Sequence, residues 1–255
     1  VEVCPQGGGD LARAAHEDLA VVRKVRGHEP EPGPQDVVGA RVVQAVFLFA
    51  AAEMAPDDPL PYAYLAAAEL RLGDLAAADE AASRAADLGP QNHLAQSYLA
   101  YVRLVQGRLG EAADAASAAV AAAPASALAH DALGTAYFFA GDFEQARQQL
   151  ERALELNSVS ARARLTLAKL TAAEGEMEEA LNQARAATSL NPNSAPAHST
   201  YGLLLMLNND PQAAGEQFQQ ALALDPNLAE AHTGWGRVMA RRGAFREALD
   251  QQKAA

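Results

Sequence analysis

Cysteine is almost missing from the sequence, since Cys4 is the one residue of this type in 255. A single thiol excludes a disulfide within the chain and a cysteine cluster for zinc. Aromatic residues are also scarce, at 5%, whereas alanine is the commonest residue. This composition favours closely packed helices and disfavours sheets, which are rich in aromatic and β-branched side chains.

Basic residues are outnumbered by acidic ones, 20 against 32, which gives a formal net charge of −12. A chain of this charge repels phosphate backbones and anionic lipid surfaces, so nucleic-acid binding and membrane-surface binding are both disfavoured. The most apolar run, residues 42–52, contains Gln44 and is shorter than the roughly 20 residues that cross a bilayer. No direct insertion into a membrane is expected. The compartment stays open, because a bacterial cytoplasm and a periplasm both fit these counts.

Small side chains recur along the chain with a fixed period. A register that begins at residue 59 repeats every 34 residues, with no insertion or deletion, as far as the last residue. Every unit carries alanine or glycine at its eighth, twentieth and twenty-seventh positions, and eighteen matches in succession exclude chance. The matches are Ala66, Ala100, Gly134, Ala168, Gly202 and Gly236, then Ala78, Ala112, Ala146, Ala180, Ala214 and Ala248, then Ala85, Ala119, Ala153, Ala187, Ala221 and Ala255.

Turn-forming residues divide each unit into two halves. The fifteenth position holds glycine in five units and Asn209 in the other, and these residues accept the left-handed backbone that ends a helix. The thirty-second position holds proline in four of five units, which stops a second helix or starts the next one. Between these marks apolar residues recur at helical spacing. Each unit is therefore predicted to be a pair of helices of about a dozen residues.

This repeat resembles the tetratricopeptide family, whose motif places large residues at positions four and seven, small ones at eight, twenty and twenty-seven, and proline at thirty-two. Residues 127–160, ALAHDALGTAYFFAGDFEQARQQLERALELNSVS, match that motif most fully. The resemblance implies an all-α, right-handed superhelical solenoid of stacked helix-turn-helix hairpins. It covers five whole units and an incomplete sixth, which are 59–92, 93–126, 127–160, 161–194, 195–228 and 229–255.

The two ends of the chain depart from the repeat. Residues 1–9 are predicted to be a flexible terminus, and Asp10 is a candidate cap for a helix. A proline-rich loop follows, and then a second helix is predicted over residues 37–53. We interpret residues 10–58 as a degenerate repeat that caps the solenoid. The sequence stops in mid-helix by the repeat register, so we expect it to be an excerpt of a longer protein.

No catalytic, cofactor-binding or metal-binding site is predicted. His130, His198 and His232 share the fourth position, but equivalent positions in stacked repeats lie on the order of 10 Å apart, whereas zinc ligands lie about 2 Å from one metal. We therefore predict that these histidines pack between helices. A serine, histidine and acid set with a nucleophile turn is not visible, and a solenoid seldom builds a water-excluded pocket. The chain is not expected to be an enzyme.

The resemblance implies that positions two, five, nine, twelve and thirteen of each first helix line a concave groove that binds a protein or peptide. The middle of this groove is apolar, so an apolar or amphipathic partner segment is expected. Position thirteen is predicted to contact the partner, whereas position twelve is equally consistent with core packing. Arginines at the carboxy-terminal end either hold a carboxylate or face water. The candidate groove residues are Tyr101, Leu104, Val105, Phe138, Phe139, Leu203, Met206, Leu207, Arg237 and Arg241.

The predicted function is that of a non-enzymatic scaffold or adaptor, and the alanine-rich composition favours a bacterial multiprotein assembly. Two alternatives stay open at this point. One is the substrate-recruiting arm of a longer enzyme. The other is a homo-oligomer joined through the solenoid ends, because unfinished repeat ends expose apolar surface.

Overall fold

Twelve helices make up the part of the chain that the computed structural model describes, residues 37–243. The predicted flexible terminus 1–9, the helix expected after Asp10 and residues 244–255 lie outside that range. The helices are α1 Val37–Met54, α2 Pro59–Leu72, α3 Leu75–Leu88, α4 His93–Val105, α5 Leu109–Ala122, α6 Ala127–Ala140, α7 Phe143–Leu156, α8 Ala161–Ala173, α9 Met177–Leu190, α10 Ala195–Leu207, α11 Pro211–Leu224 and α12 Ala229–Arg241.

Side-chain caps begin the first helix of five units. At the start of α6, the Ser126 hydroxyl oxygen accepts a hydrogen bond from the Ala129 N–H at 3.3 Å. Such an oxygen satisfies an N–H group that the first helical turn leaves without a backbone partner. The caps are Asp58, Asn92, Ser126, Ser160 and Ser194.

Each first helix is followed by a residue in the left-handed conformation. Gly141 has a φ of 86°, and Asn209 has a φ of 61° as the one non-glycine residue with positive φ in the described part of the chain. A backbone without a Cβ adopts this conformation at no steric cost, and asparagine tolerates it better than most residues. The predicted break at the fifteenth position is confirmed in all six units.

The helices form two layers. Each first helix from α2 to α10 packs against the second helix of its own unit and against the first helix of the next unit. The second helices reach the next unit through its first helix. Since successive first helices touch directly, their layer is the more closely spaced and lies on the inside of the curve. We call it the first-helix layer, and it consists of α2, α4, α6, α8, α10 and α12.

Residues before the first complete unit continue this arrangement. Helix α1 packs against α2 as the second helix of a preceding unit would, and Ala45 and Ala52 of α1 are buried. No helix between residues 37 and 243 is both long enough and apolar enough to cross a membrane.

The small repeat positions lie where helices approach most closely. Ala248 and Ala255 fall outside the described residues, and the other sixteen of the eighteen are buried. At Gly134, an added Cβ would lie 2.8 Å from Leu150 Cγ. That distance is shorter than van der Waals contact, so a larger residue would push the helices apart. The predicted solenoid of closely stacked hairpins is confirmed.

Candidate partner-binding surface

A row of exposed residues crosses the first-helix layer near the carboxy-terminal end of its helices. The row consists of the thirteenth residue of each unit, and all six members are exposed. Three of them are large and apolar, with exposed fractions of 58% for Val105, 54% for Phe139 and 62% for Leu207. We call this set the position-thirteen row, and its members are Arg71, Val105, Phe139, Ala173, Leu207 and Arg241.

The twelfth position packs against the core. Leu104 packs against a cluster of buried residues that joins α4, α5 and α6, and Phe138 packs against the cluster around Leu150. Met206 is itself buried, at 9% exposure. Consecutive helical residues point about 100° apart, so position twelve faces the helices beneath while position thirteen faces outward. Met206 therefore belongs to the core, whereas Leu104 and Phe138 are half-buried and pack against it.

The ninth position is divided between the core and the surface. Leu203 is 36% exposed and borders the position-thirteen row. Tyr101, by contrast, is 8% exposed, which corrects its assignment as an accessible groove residue. The physical reason is that Arg162 of α8 covers its ring, with the guanidinium carbon 4.4 Å from the ring centre. Tyr101 therefore lies beneath Arg162 and does not form part of the exposed surface.

Arg162 links three successive first helices through a cluster of groove residues whose mutual contact the sequence did not predict. Its Nε lies 3.7 Å from Oδ2 of Asp131 on α6, while its guanidinium covers Tyr101 on α4. The Asp131 carboxylate also accepts a hydrogen bond from the Thr135 hydroxyl at 3.5 Å. Asp131 is 2% exposed, whereas half of the Arg162 side chain is exposed. A buried acid is thus paired with a cation that reaches the surface.

The electrostatics of this cluster follow from burial. Burial raises the pKa of the Asp131 carboxyl, and the nearby positive charge of Arg162 opposes that change. Burial also raises the pKa of the Tyr101 phenol well above its usual range, and the Asp131 charge acts in the same direction. The buried Tyr101 hydroxyl has no well-aligned hydrogen bond to any described residue.

Both predicted arginines of the groove lie on α12 and are exposed. Arg241 Nη1 donates a hydrogen bond to Asn209 Oδ1 at 3.2 Å, which ties the end of α12 to the turn after α10. Arg237 stands one turn earlier on the same helix face. These two residues extend the exposed surface of the first-helix layer beyond Leu207.

The position-four histidines lie away from this row, beside the loops that connect one unit to the next. His130 Nε2 lies 2.9 Å from the Pro124 carbonyl oxygen of the preceding loop, and its Nδ1 lies 2.7 Å from Oε1 of Gln149 on α7. This is the packing between helices that the sequence predicts. The same contacts recur at His198 with Pro192 and Gln217, and His232 contacts Pro226.

Helix pairs stacked in register, with left-handed turn residues and alanine-lined contacts, define a helical-repeat protein that presents an open surface. The sequence pattern of the tetratricopeptide repeat matches residues 65–127, 132–195 and 195–228. The chain belongs to the tetratricopeptide-repeat family. None of the curated proteins matches it in sequence.

Solved structures are similar in fold. One is a tetratricopeptide repeat protein from Parabacteroides merdae. The alignment covers 98% of this chain and 93% of that protein, with a TM-score of 0.60 and 19% identity. Another is a thermophilic protein of the family from Thermus thermophilus. The alignment covers 75% of this chain and 98% of that protein, with a TM-score of 0.61 and 23% identity.

A larger relative in fold occurs in the APC/C hetero-tetramer Cut9–Hcn1. The alignment covers 85% of this chain, with a TM-score of 0.69 and 17% identity. The chain spans 43% of the length of that protein. At such identities the likeness concerns the fold, and it carries no partner over to this chain.

Proposed function

We propose that this chain is a non-enzymatic interaction scaffold, and that a helix or peptide of a partner protein lies along the position-thirteen row. The observation that supports it is the exposure of Val105, Phe139 and Leu207 on one helix layer. Each of these side chains exposes more than half of its surface, whereas the neighbouring position-twelve residues are buried or half-buried against the core. Tetratricopeptide repeats generally bind proteins, and the proposal assigns that role to this row.

An aromatic residue at the centre of the row is suited to anchor a partner. Phe139 is held on one side by Phe138, whose ring centre lies 5.3 Å away in an edge-to-face arrangement. Phe138 is in turn stacked on Phe143, at 6.0 Å. A supported aromatic ring loses little conformational entropy when a partner covers it, and aromatic residues often dominate binding energy. We therefore place the centre of the binding surface at Phe139.

The proposal is tested by comparing apolar side chains of similar exposure at different places on the surface. Proteins bound by the wild-type chain are identified by mass spectrometry, and a purified partner is then titrated against Phe139→Asp, Leu207→Asp and Val159→Asp. Val159 is 62% exposed in the loop between α7 and α8, so it is a matched control away from the row. We expect the first two substitutions to weaken binding about tenfold or more, and Val159→Asp to leave it unchanged.

Thermal unfolding of all three variants should match the wild type, because none of the three side chains supports the core. Unchanged binding by Phe139→Asp and Leu207→Asp would reject the row as the binding surface. Light scattering of the dilute wild-type chain tests whether the row joins two copies of the chain. A dimer that Phe139→Asp converts to a monomer would assign the row to self-assembly instead of partner binding.

A further inference from the structure

Charge is unevenly divided between the two helix layers. The six first helices carry seven arginines and lysines and three acidic residues, whereas the five second helices from α3 to α11 carry eleven acidic residues and four arginines. A chain with a formal net charge of −12 therefore has a basic inner layer. The first-helix charges are Glu69, Arg71, Arg103, Asp131, Arg162, Arg164, Lys169, Glu230, Arg237 and Arg241.

The imbalance is larger at the exposed surface of this layer. Two of its acids, Glu69 and Asp131, are buried. Two of its cations, Arg103 and Arg164, bond to residues of second helices and do not reach the row. One acid and five cations are left at the inner surface, namely Glu230 and Arg71, Arg162, Lys169, Arg237 and Arg241.

Lys169 lies beside the position-thirteen row, next to its smallest side chain. It stands one turn before Ala173 on α8, between the helices that carry Phe139 and Leu207. Arg162 lies two turns earlier on the same face of α8, about 10 Å along the helix axis. Neither Lys169 nor Arg237 has a hydrogen bond or an ion pair with any residue between 37 and 243. Two cations beside an apolar row are thus available to an anion.

The Asp131 contact holds the Arg162 guanidinium in place. The carboxylate lies near Nε, and the Tyr101 ring supports one face of the guanidinium. The two terminal nitrogens form no ion pair within the described part of the chain and belong to a half-exposed side chain. A guanidinium that is already positioned loses less entropy when it forms paired hydrogen bonds to a carboxylate.

We propose that the partner segment is acidic as well as apolar. Its carboxylates pair with Arg162, Lys169 and Arg237, while its apolar side chains contact Phe139 and Leu207. This inference rests on the proposed function, because it concerns the occupant of the same surface. A short acidic peptide fits within the basic inner layer, whereas the acidic second helices repel a long polyanion such as RNA.

The test uses short dye-labelled synthetic peptides and fluorescence anisotropy. One peptide alternates leucine and phenylalanine with glutamate, and the matched peptide has glutamine at every glutamate. We expect the glutamate peptide to bind about tenfold more tightly, and the difference to shrink as sodium chloride is raised from about 0.05 M to about 0.5 M. A single-stranded oligonucleotide serves as the polyanion probe.

Two double variants locate the effect. Lys169→Gln with Arg237→Gln removes two cations that have no bonds to described residues, so the fold is left intact. Arg152→Gln with Arg185→Gln changes the net charge equally on the second helices α7 and α9. The first pair should weaken the preference for glutamate severalfold, because only Arg162 of the three cations remains, and the second pair should preserve it.

The outcomes separate this inference from the proposed function. Equal binding of the two peptides, no binding of the glutamate peptide, or tighter binding of the oligonucleotide overturns the acidic partner. If the two peptides bind equally and both are lost in Phe139→Asp, the proposed function survives alone. If the glutamate peptide binds Phe139→Asp as tightly as the wild type, the apolar row is not the binding surface and the proposed function fails.

Discussion

The guanidinium carbon of Arg162 lies 4.4 Å from the centre of the Tyr101 ring, although a whole repeat separates their two units. The same arginine has its Nε 3.7 Å from the carboxylate of Asp131, which belongs to the intervening unit. One side chain therefore ties together α4, α6 and α8. In a solenoid most contacts join nearest neighbours, so this cluster couples three repeats that would otherwise interact in pairs.

Removal of the Arg162 charge should destabilise the fold, because Asp131 is buried. Arg162→Gln is expected to lower the free energy of unfolding by about 1 to 3 kcal/mol, because Asp131 then stays buried without its counter-charge. In the double variant Asp131→Asn with Arg162→Gln, the loss should be smaller than the sum of the two single losses. Urea unfolding of the four proteins gives the coupling directly, and additive losses would show that the pair does not interact.

Asp131 should also give stability a specific dependence on pH. Burial raises its folded-state pKa above the ordinary value of 3.8, so the folded protein holds this proton more tightly than the unfolded chain. The contribution of Asp131 is then most favourable below about pH 3.8 and is lost as pH rises through the folded-state pKa. Many other carboxylates titrate in this range, so the comparison with Asp131→Asn isolates the effect.

We expect Asp131→Asn to gain free energy of unfolding relative to the wild type as pH is raised from about 3 to about 6. Urea midpoints measured at several pH values for both proteins test this. A difference that stays constant, or that changes in the opposite direction, would show that the folded-state pKa is not raised.

The Tyr101 hydroxyl should contribute nothing to stability. It is buried and has no well-aligned hydrogen bond to any described residue, and the Asp131 carboxylate and the Arg162 guanidinium that lie beside it offset only part of its desolvation cost. Tyr101→Phe keeps the ring beneath Arg162 and removes only the oxygen. We expect the free energy of unfolding to stay within about 0.5 kcal/mol or to rise. A loss larger than about 1 kcal/mol would mean that the hydroxyl bonds to Asp131 in solution.

The repeat and its turns were predictable because local rules fix them. Close helix contact requires alanine at position twenty of every unit, and the left-handed turn requires glycine or asparagine at position fifteen, so each requirement appears in the sequence as a period. Gln149 shows that even some packing partners leave such a signal. It contacts His130, and glutamines recur 34 residues apart at Gln183 and Gln217.

The cluster around Arg162 leaves no such signal. Arg162, Asp131 and Tyr101 hold the second, fifth and ninth positions of three different units, and no other unit repeats the combination. Their contact depends on how far each helix is shifted along its neighbour, which a single sequence does not show. The division between positions twelve and thirteen had the same cause. Phe138 and Phe139 are identical in type, and only the helix rotation separates the half-buried residue that packs against the core from the exposed one.

A leucine at a small repeat position should destabilise the fold, whereas the same leucine on the outside should not. Ala146 is fully buried among Leu150, Leu167 and Leu170, so Ala146→Leu must force helices apart and is expected to cost about 1 to 3 kcal/mol. Ala118 on α5 is exposed, and Ala118→Leu should change the free energy of unfolding by less than about 0.5 kcal/mol. Chemical unfolding of both variants measures the contrast. Equal effects at the two sites would contradict the close helix spacing on which the solenoid and its exposed row both depend.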